Sequence, residues 1–352
     1  MGHKVFDQWV EVYEWMVDWP RRLEREGPLF RRLFEQTGVR RVVDVACGPG
    51  YHAALFHRWG LEVEGADLSE AMIQRAILLH GQPPGLRWTV RPFQNPTPNP
   101  GYFDAAVCIG NSLALAGHKH IATEAVRQMF RAVRPGGLIV IQVLNLWALP
   151  EGKLCWQKCL AAPIGGKPKL ILKAAHRVGH QVVVDLLLVD LDHLGQAGPA
   201  GSQPVGQSKS SHARLPIPEE GLSAQQSVLP NFPSGRASSL GEVLPSPPAA
   251  LPTCPPGGPS AIGDVWSALP GAVSPAGCAV SLPWQAQSEL LLGFSAEELQ
   301  QMAHQAGASR VLLYGGYPDQ PYLPSTSLDL ILVAWRAENS VAPSSGTGSA
   351  RV

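Results

Sequence analysis

The sequence carries no surplus of charge: 28 lysine and arginine residues balance 28 aspartate and glutamate residues over 352 positions. A neutral chain has neither the basic footprint of a nucleic-acid binder nor an acidic tail for a basic partner. Cysteine is sparse, six in all, without paired spacing. The nearest pair, Cys155 and Cys159, lies in an apolar stretch and reads as free thiols rather than a disulfide or metal framework. No apolar run approaches the length that spans a bilayer. The opening "MGHKVFDQWVEVYEW" lacks the apolar core of a leader, and Phe6 spoils a myristoylation signal at Gly2. These absences predict a soluble, cytoplasmic protein with no membrane, metal or nucleic-acid partner.

What is present is unevenly spread. Residues 194–283, with "GQSKSSHARLPIPEEG" and "EVLPSPPAALPTCPPGGPSAIG", are rich in Pro, Gly and Ser and carry neither the helix nor the strand period. Such a stretch cannot bury enough apolar surface to offset its chain entropy, so a disordered insertion is expected there, as spacer or as docking segment. Residues 338–352 read as a second disordered tail.

Elsewhere strands and helices alternate. "RRVVDVA", "LEVEGADL", "LRWTVR", "FDAAVCIG" and "GLIVIQVLN" read as strands separated by helical segments, with Ser69 as an N-cap and Gly81 beyond a helix end. After the insertion, "FSAEELQQMAHQAG" offers a capping box from Ser295 to Glu298, followed by the strands "SRVLLYG" and "SLDLILVAW". The βα repetition predicts a seven-stranded, mostly parallel α/β sheet with helices on both faces. Residues 1–40 would form an N-terminal helical lid, 41–145 the ligand-binding core, and 284–337 the rest of the core sheet. Between them, 146–193 would form a substrate cover of two antiparallel strands, "PKLILKAAHRVG" and "HQVVVDLLLVDLDH".

The turn "DVACGPG" closes the first strand, where open α/β sheets place their ligands. Gly48 and Gly50 let a ligand lie against bare backbone. The dinucleotide pattern G-x-G-x-x-G would need a third glycine where Tyr51 stands, and no triphosphate-binding P-loop occurs at this turn. Asp67, 19 residues past Gly48 at the end of the second strand, is placed to accept from ribose hydroxyls. Asp44, inside an apolar strand, needs a partner that the turn amides or a ligand ammonium would supply. These features point to a small zwitterionic nucleoside.

With "ADLSEAMIQRA", "FDAAVCIGNSL" and "VRPGGLIVI", the turn resembles the motifs of class I S-adenosylmethionine-dependent methyltransferases, whose Rossmann-like sheet agrees with the predicted layout. Within that superfamily the chain is most similar to the glycine N-methyltransferase group, through "DVACGPG", "VCIGNSL", "VYEWMVDWPRR" and "LYGGYPDQPYLPSTSLDLILVA", over residues 5–193 and 284–336. The resemblance implies S-adenosylmethionine as cofactor, with the main chain of Ala46 and Gly48 facing the methionine portion. Asp67 would take the ribose, Phe93 and Gln94 would lie near the adenine, and Ile109 would line the pocket. Arg22, or its neighbour Arg21, would hold the cofactor carboxylate, and Asp44, Gly50 and Leu68 complete the set. Tyr13 would close over the site, Asn111 would point at the acceptor as the catalytic candidate, and Asn145 would contact substrate. Tyr13 and Trp15 can also be read as packing residues, Arg21 and Arg22 as solvated charges, and Asn111 as an Asx-turn.

The departures bear on the acceptor. Only Gln94 or Asn95, disturbed by Pro92, stands where the superfamily commonly has an acid for the adenine amino group. Leu144 stands where the glycine-specific group has a carboxylate-gripping arginine, and Leu115 where it has a histidine. Leucine cannot imitate a bidentate guanidinium, so an acceptor other than glycine is expected. It would be a small molecule, most simply an amine, with an oxygen or carbon acceptor as the alternative. A degenerate, cofactor-binding scaffold is a further reading, and self-association into a homo-oligomer is left open. His118 and His120 are candidate bases, and Trp147, Trp156 and His176 candidate cover residues.

Overall fold

A computed structural model describes residues 9–191, 284–317 and 319–338. The expected insertion at 194–283 and the tail, apart from Glu338, lie outside these residues. The chain opens with helices α1 (Val10–Met16) and α2 (Trp19–Thr37). Asp18 Oδ1 accepts from the Arg21 N–H at the start of α2, and Gly38, with φ 63°, closes its far end. Then follow β1 (Arg41–Val45), α3 (Tyr51–Arg58), β2 (Glu62–Asp67), α4 (Glu70–His80), β3 (Leu86–Val90) and β4 (Phe103–Cys108). A 3₁₀ turn (Ser112–Ala116) leads to α5 (Lys119–Ala132) and β5 (Val133–Leu144). Strands β6 (Leu154–Ile164), β7 (Lys167–Val178), β8 (Gln181–Asp190) and β9 (Trp284–Leu292) come next. Helix α6 (Ala296–Gln305) and strands β10 (Ala308–Gly316), β11 (Gln320–Pro321) and β12 (Asp329–Arg336) finish the fold. The expected caps form: Ser69 accepts from Met72 N–H, and Ser295 and Glu298 exchange the two bonds of a capping box.

The main sheet runs β11-β10-β12-β5-β4-β1-β2-β3. Strands β1 to β5 pair in parallel, whereas β12 is antiparallel to both β5 and β10. It thus has eight strands rather than seven, the extra one being the two-residue β11 against β10. The central strands β1, β4, β5 and β12 are buried on both faces along most of their length, as a covered sheet requires. Val42, Leu138 and Val140 pack with Leu29, Phe30 and Leu33 of α2 and Phe56 of α3. Their neighbours Val43, Ile139 and Ile141 pack with Met129 of α5 and Leu299 of α6. Chain order reverses between β1 and β4, so the turns after those two strands lie side by side at the carboxyl edge.

The second sheet corrects the sequence reading. It has four antiparallel strands, β6-β7-β8-β9, rather than two. Residues 284–292, expected in the core sheet, form β9 and pair with β8 along its length. Strand β6 is obscured by a bulge between Trp156 and Lys158, which switches the face its side chains occupy. The Gly165-Gly166 turn into β7, with φ 60° and 75°, was the available hairpin signal. Trp9, just ahead of α1, and Val12 within it share an apolar cluster with Ala162, Ile171 and Leu188 of this sheet.

Candidate functional site

Ala46 has φ 61° and Gly48 φ 55° in the turn after β1, while Asn111 has φ 65° in the turn after β4. Ala46 and Asn111 are L-residues held in left-handed backbone, a cost of order 1–3 kcal/mol each that clusters at functional sites. They flank the switch point. Gly48 N–H donates to Asp67 Oδ2 at 2.8 Å and Ser69 N–H to Asp67 Oδ1 at 2.9 Å, so the carboxylate is braced between the turn and the start of α4. Leu68 follows it, half-buried.

Gly48 and Gly50 are bare for different reasons. A Cβ on Gly48 would meet only Tyr13 Cε1, at 4.0 Å, leaving the ligand side open. A Cβ on Gly50 would lie 2.4 Å from the Trp88 ring, which also covers Gly65. Gly50, expected to face the ligand, therefore serves helix–strand packing, and its left-handed φ of 82° caps the start of α3.

Asp44 is 1% exposed, and neither carboxylate oxygen has a hydrogen-bond partner. Burial, reinforced by the nearby Asp67 carboxylate, pushes it up to about 8, against the weaker pulls of Arg22 and the Ala53 backbone N–H. A buried carboxyl in this state is costly unless a cation reaches it. The ammonium of S-adenosylmethionine is a fitting partner, and the open backbone of Gly48 and the braced Asp67 lie beside it.

Helices α1 and α2 bring further side chains to the two turns. Arg22 Nη2 and the Tyr13 hydroxyl both lie over Gly110, 3.3 and 3.9 Å from where its Cβ would be. Arg21 is exposed, so Arg22 is the arginine aimed inward. Its Nε donates to Glu26 at 3.0 Å, and His52 Nε2 meets the other Glu26 oxygen at 2.9 Å. Burial works against the charged form of Glu26, but His52 and Arg22 outweigh it and bring the carboxyl down to about 2. Burial pushes the Tyr13 hydroxyl up, opposed by Arg22. Trp19 stacks on Tyr51 at 4.3 Å, and Glu14 pairs with Arg75 of α4, which ties the lid to the core.

Asn111 is committed to the backbone. Its Oδ1 accepts from Leu144 N–H at 2.9 Å, while the Gly110 and Asn111 amides donate to Gln142 Oε1 at 2.7 and 3.2 Å. Gln142, which sequence reasoning passed over, also donates to Asp329 and so fixes three segments; a lone glutamine in the apolar "VIQVL" was its signal. Asn145 is tied down through its amide nitrogen. Its Nδ2 donates to the carbonyls of Pro324 and Ser327 at 2.8 and 2.7 Å, clamping the loop before β12. Ile109 is buried between β4 and the turn. Phe93 packs against the α5-side core and Gln94 is half-buried beside it, both past the end of β3. Leu144 and Leu115 present an apolar wall on the same cluster.

Three of the cover candidates have other neighbours. Trp156 is 49% exposed, and register places it with His176 on the outer face of the second sheet, opposite Ile171 and Ala175. Trp147 packs on His180 and donates to the Phe294 carbonyl. His118 and His120 are exposed and stack on each other at 5.5 Å. Among the described residues, no helix is long and apolar enough to cross a membrane, and no three His, Cys, Asp or Glu side chains cluster as metal ligands.

Residues 42–137 match the methyltransferase domain family. The sheet order and the glycine turn agree with a methyltransferase domain over these residues. The chain is 28% identical over 227 residues to glycine N-methyltransferase of Oryctolagus cuniculus, covering 57% of this chain and 75% of that protein. It is 29% identical over 154 residues to a glycine/sarcosine N-methyltransferase of Parasynechococcus marenigrum, covering 42% of this chain and 52% of the relative. The chain thus spans about half the length of that relative. In fold it is similar to the CcbJ methyltransferase of Streptomyces caelestis, with a TM-score of 0.57, 15% identity, and coverage of 96% and 99% of the two chains. It is also similar to S-adenosylmethionine-bound CalS10, an amino pentose methyltransferase of Micromonospora echinaspora, with a TM-score of 0.54, 17% identity, and coverage of 93% and 97%.

Proposed function

We propose that the chain transfers the methyl group of S-adenosylmethionine to an amine nitrogen of a small molecule, in a pocket roofed by the lid and the cover sheet. The observation that carries this reading is the unpartnered Asp44 carboxylate beneath an open glycine turn, a site shaped for the amino-acid end of the cofactor. When bound, the cofactor supplies an already activated sulfonium methyl group, so the protein's task is positioning and exclusion of water. Asp44 receives the ammonium, Arg22 the carboxylate and Asp67 the ribose hydroxyls. Asn111 and Gln142 hold the turn after β4 in the left-handed conformation that shapes the acceptor side. They are positioning residues. Tyr13 closes over Gly48 and Gly110.

The choice of nitrogen rests on two supports. Relatives named for glycine and sarcosine N-methylation match in sequence. The converging groups Tyr13, Arg22, Asn111 and Gln142 include no base at neutral pH, and an unprotonated amine needs none. Glycine itself fits poorly, because Leu144 and Leu115 leave no cation at the end of β5. Calorimetry with S-adenosylhomocysteine, followed by turnover of a panel of amines and phenols, tests the reading. Micromolar binding and methylation of amines but not phenols is expected. Absence of binding overturns it entirely; binding without turnover reassigns the chain as a cofactor-bound scaffold.

A further inference from the structure

Two apolar contacts fasten the cover sheet to the rest of the molecule. At one end Ile171 and Leu188 pack with Trp9 and with Val12 of α1. At the other, Ala175, Val184 and Leu291 pack with Leu113 and Ala114 of the 3₁₀ turn that follows Asn111. Side chains alternate along a strand, so Lys173, two residues from Ile171 and two from Ala175, shares their inward face. Its register neighbours are Lys158 on β6 and Leu186 on β8, and beyond Leu186 stands Gln287 on β9. This row lies midway between the two anchors, whose outer partners, α1 and the 3₁₀ turn, carry the Tyr13 and Asn111 that border the pocket.

The two lysines of the row differ. Lys158 Nζ donates to the carbonyl of Met16 at the end of α1, where a cation also satisfies the helix C-terminus. Lys173 is half-buried and, among the described residues, has no carboxylate or carbonyl partner. Two carboxylates on that face are engaged elsewhere: Glu289 of β9 accepts from Gln287, and Asp190 of β8 pairs with Lys169. Burial, with Lys158 beside it, pushes the Lys173 ammonium down. An unpaired cation turned inward is costly unless a ligand anion completes it. The end of β5, meanwhile, offers Leu144 and no cation.

The geometry points to Lys173 as the anion-binding residue of the acceptor pocket: the small molecule that enters carries a carboxylate, gripped from the cover sheet rather than from the end of β5. The word acceptor rests on the methyl-transfer reading; the anion site does not. Specificity in this arrangement comes from the distance between the methylated atom and the carboxylate, and the cover sets that distance.

The test uses the full chain saturated with S-adenosylhomocysteine. Acetate, butanoate, hexanoate and octanoate are titrated calorimetrically against hexanamide as the neutral control, for the wild type, Lys173→Gln and Lys173→Arg. At least one carboxylate is expected to bind about tenfold more tightly than the amide, an advantage lost in Lys173→Gln and kept in Lys173→Arg. Lys173→Gln should melt no lower than wild type, because it removes a desolvated charge, whereas a structural lysine would lower the melt. Equal binding of acids and amide, or acid binding unchanged in Lys173→Gln, overturns the proposal. Amine turnover without acid preference sinks the anion site and spares the methyl-transfer reading. Lys173-dependent acid binding without turnover of any amine does the reverse.

Discussion

Asp44 makes no hydrogen bond of normal geometry among the described residues, the Ala53 amide being its one backbone neighbour of that kind, so its charge depends jointly on pH and on ligand. With its carboxyl raised to about 8, it is largely protonated at neutral pH, and a bound ammonium draws the proton off. Binding of S-adenosylhomocysteine at pH 7 should therefore release most of one proton per site. Calorimetry in buffers of different ionisation heat reads this number, and Asp44→Asn should abolish it. The stability linkage has a definite sign. A raised carboxyl stabilises the fold fully below the ordinary carboxylate range and loses that contribution as pH climbs through about 8. The ligand-free protein should melt lower at pH 9 than at pH 6, with a shallower slope in Asp44→Asn. Glu26 has the opposite sign, since its carboxyl is held down at about 2. Its contribution is present above the ordinary range and lost as pH falls through about 2. Glu26→Gln removes one member of a buried ionic cluster and should cost about 3 kcal/mol in urea unfolding. It should also weaken cofactor binding, because the Arg22 guanidinium loses its anchor.

Among the elements, the β2–β3–α3 corner depends on the absence of side chains. A Cβ on Gly65 would sit 2.4 Å from the Trp88 ring. Gly65→Ala should destabilise the protein by about 1–3 kcal/mol, and Trp88→Leu in the same chain should recover much of that loss, as thermal melts will show. Helices α1 and α2 are held to the core by the Trp19–Tyr51 stack and the Glu14–Arg75 pair. An aromatic pair contributes about 0.5–1.5 kcal/mol beyond its buried area, so Trp19→Ala should speed release of radiolabelled cofactor by up to about tenfold. Features set by local residues were legible in the sequence: the strand–turn–helix around Gly48, the Ser69 cap and the Ser295–Glu298 box. Features set by distant partners were not. Strand β9 reads as polar "WQAQSELLL", and its partner β8 is separated from it by the whole of 192–283. Gln142 and Asn145 looked like site residues or filler, because their partners at 110, 324, 327 and 329 are far along the chain. Gly50 was assigned to the ligand because nothing local announces Trp88.

In the molecule as a whole, β8 leaves and β9 returns at one place: Val189 stands opposite Trp284 in an antiparallel pair. Residues 192–283 thus begin and end at adjoining strand ends, and a short Gly-Ser hairpin can span them. Replacing 192–283 by such a turn should leave the melting temperature and the S-adenosylhomocysteine affinity unchanged within error. A marked loss of either would mean that the segment contributes to the fold or to the site.

The same adjacency bears on how the chain survives damage. A single protease cut inside that span yields two polypeptides, the first carrying β1 to β8 and the second β9 to β12. Strand β9 then still zips onto β8, and β12 onto β5, so the halves remain mated by two separate seams. Scission here should pass unnoticed on a sizing column and appear only when the fragments are parted by detergent on a gel.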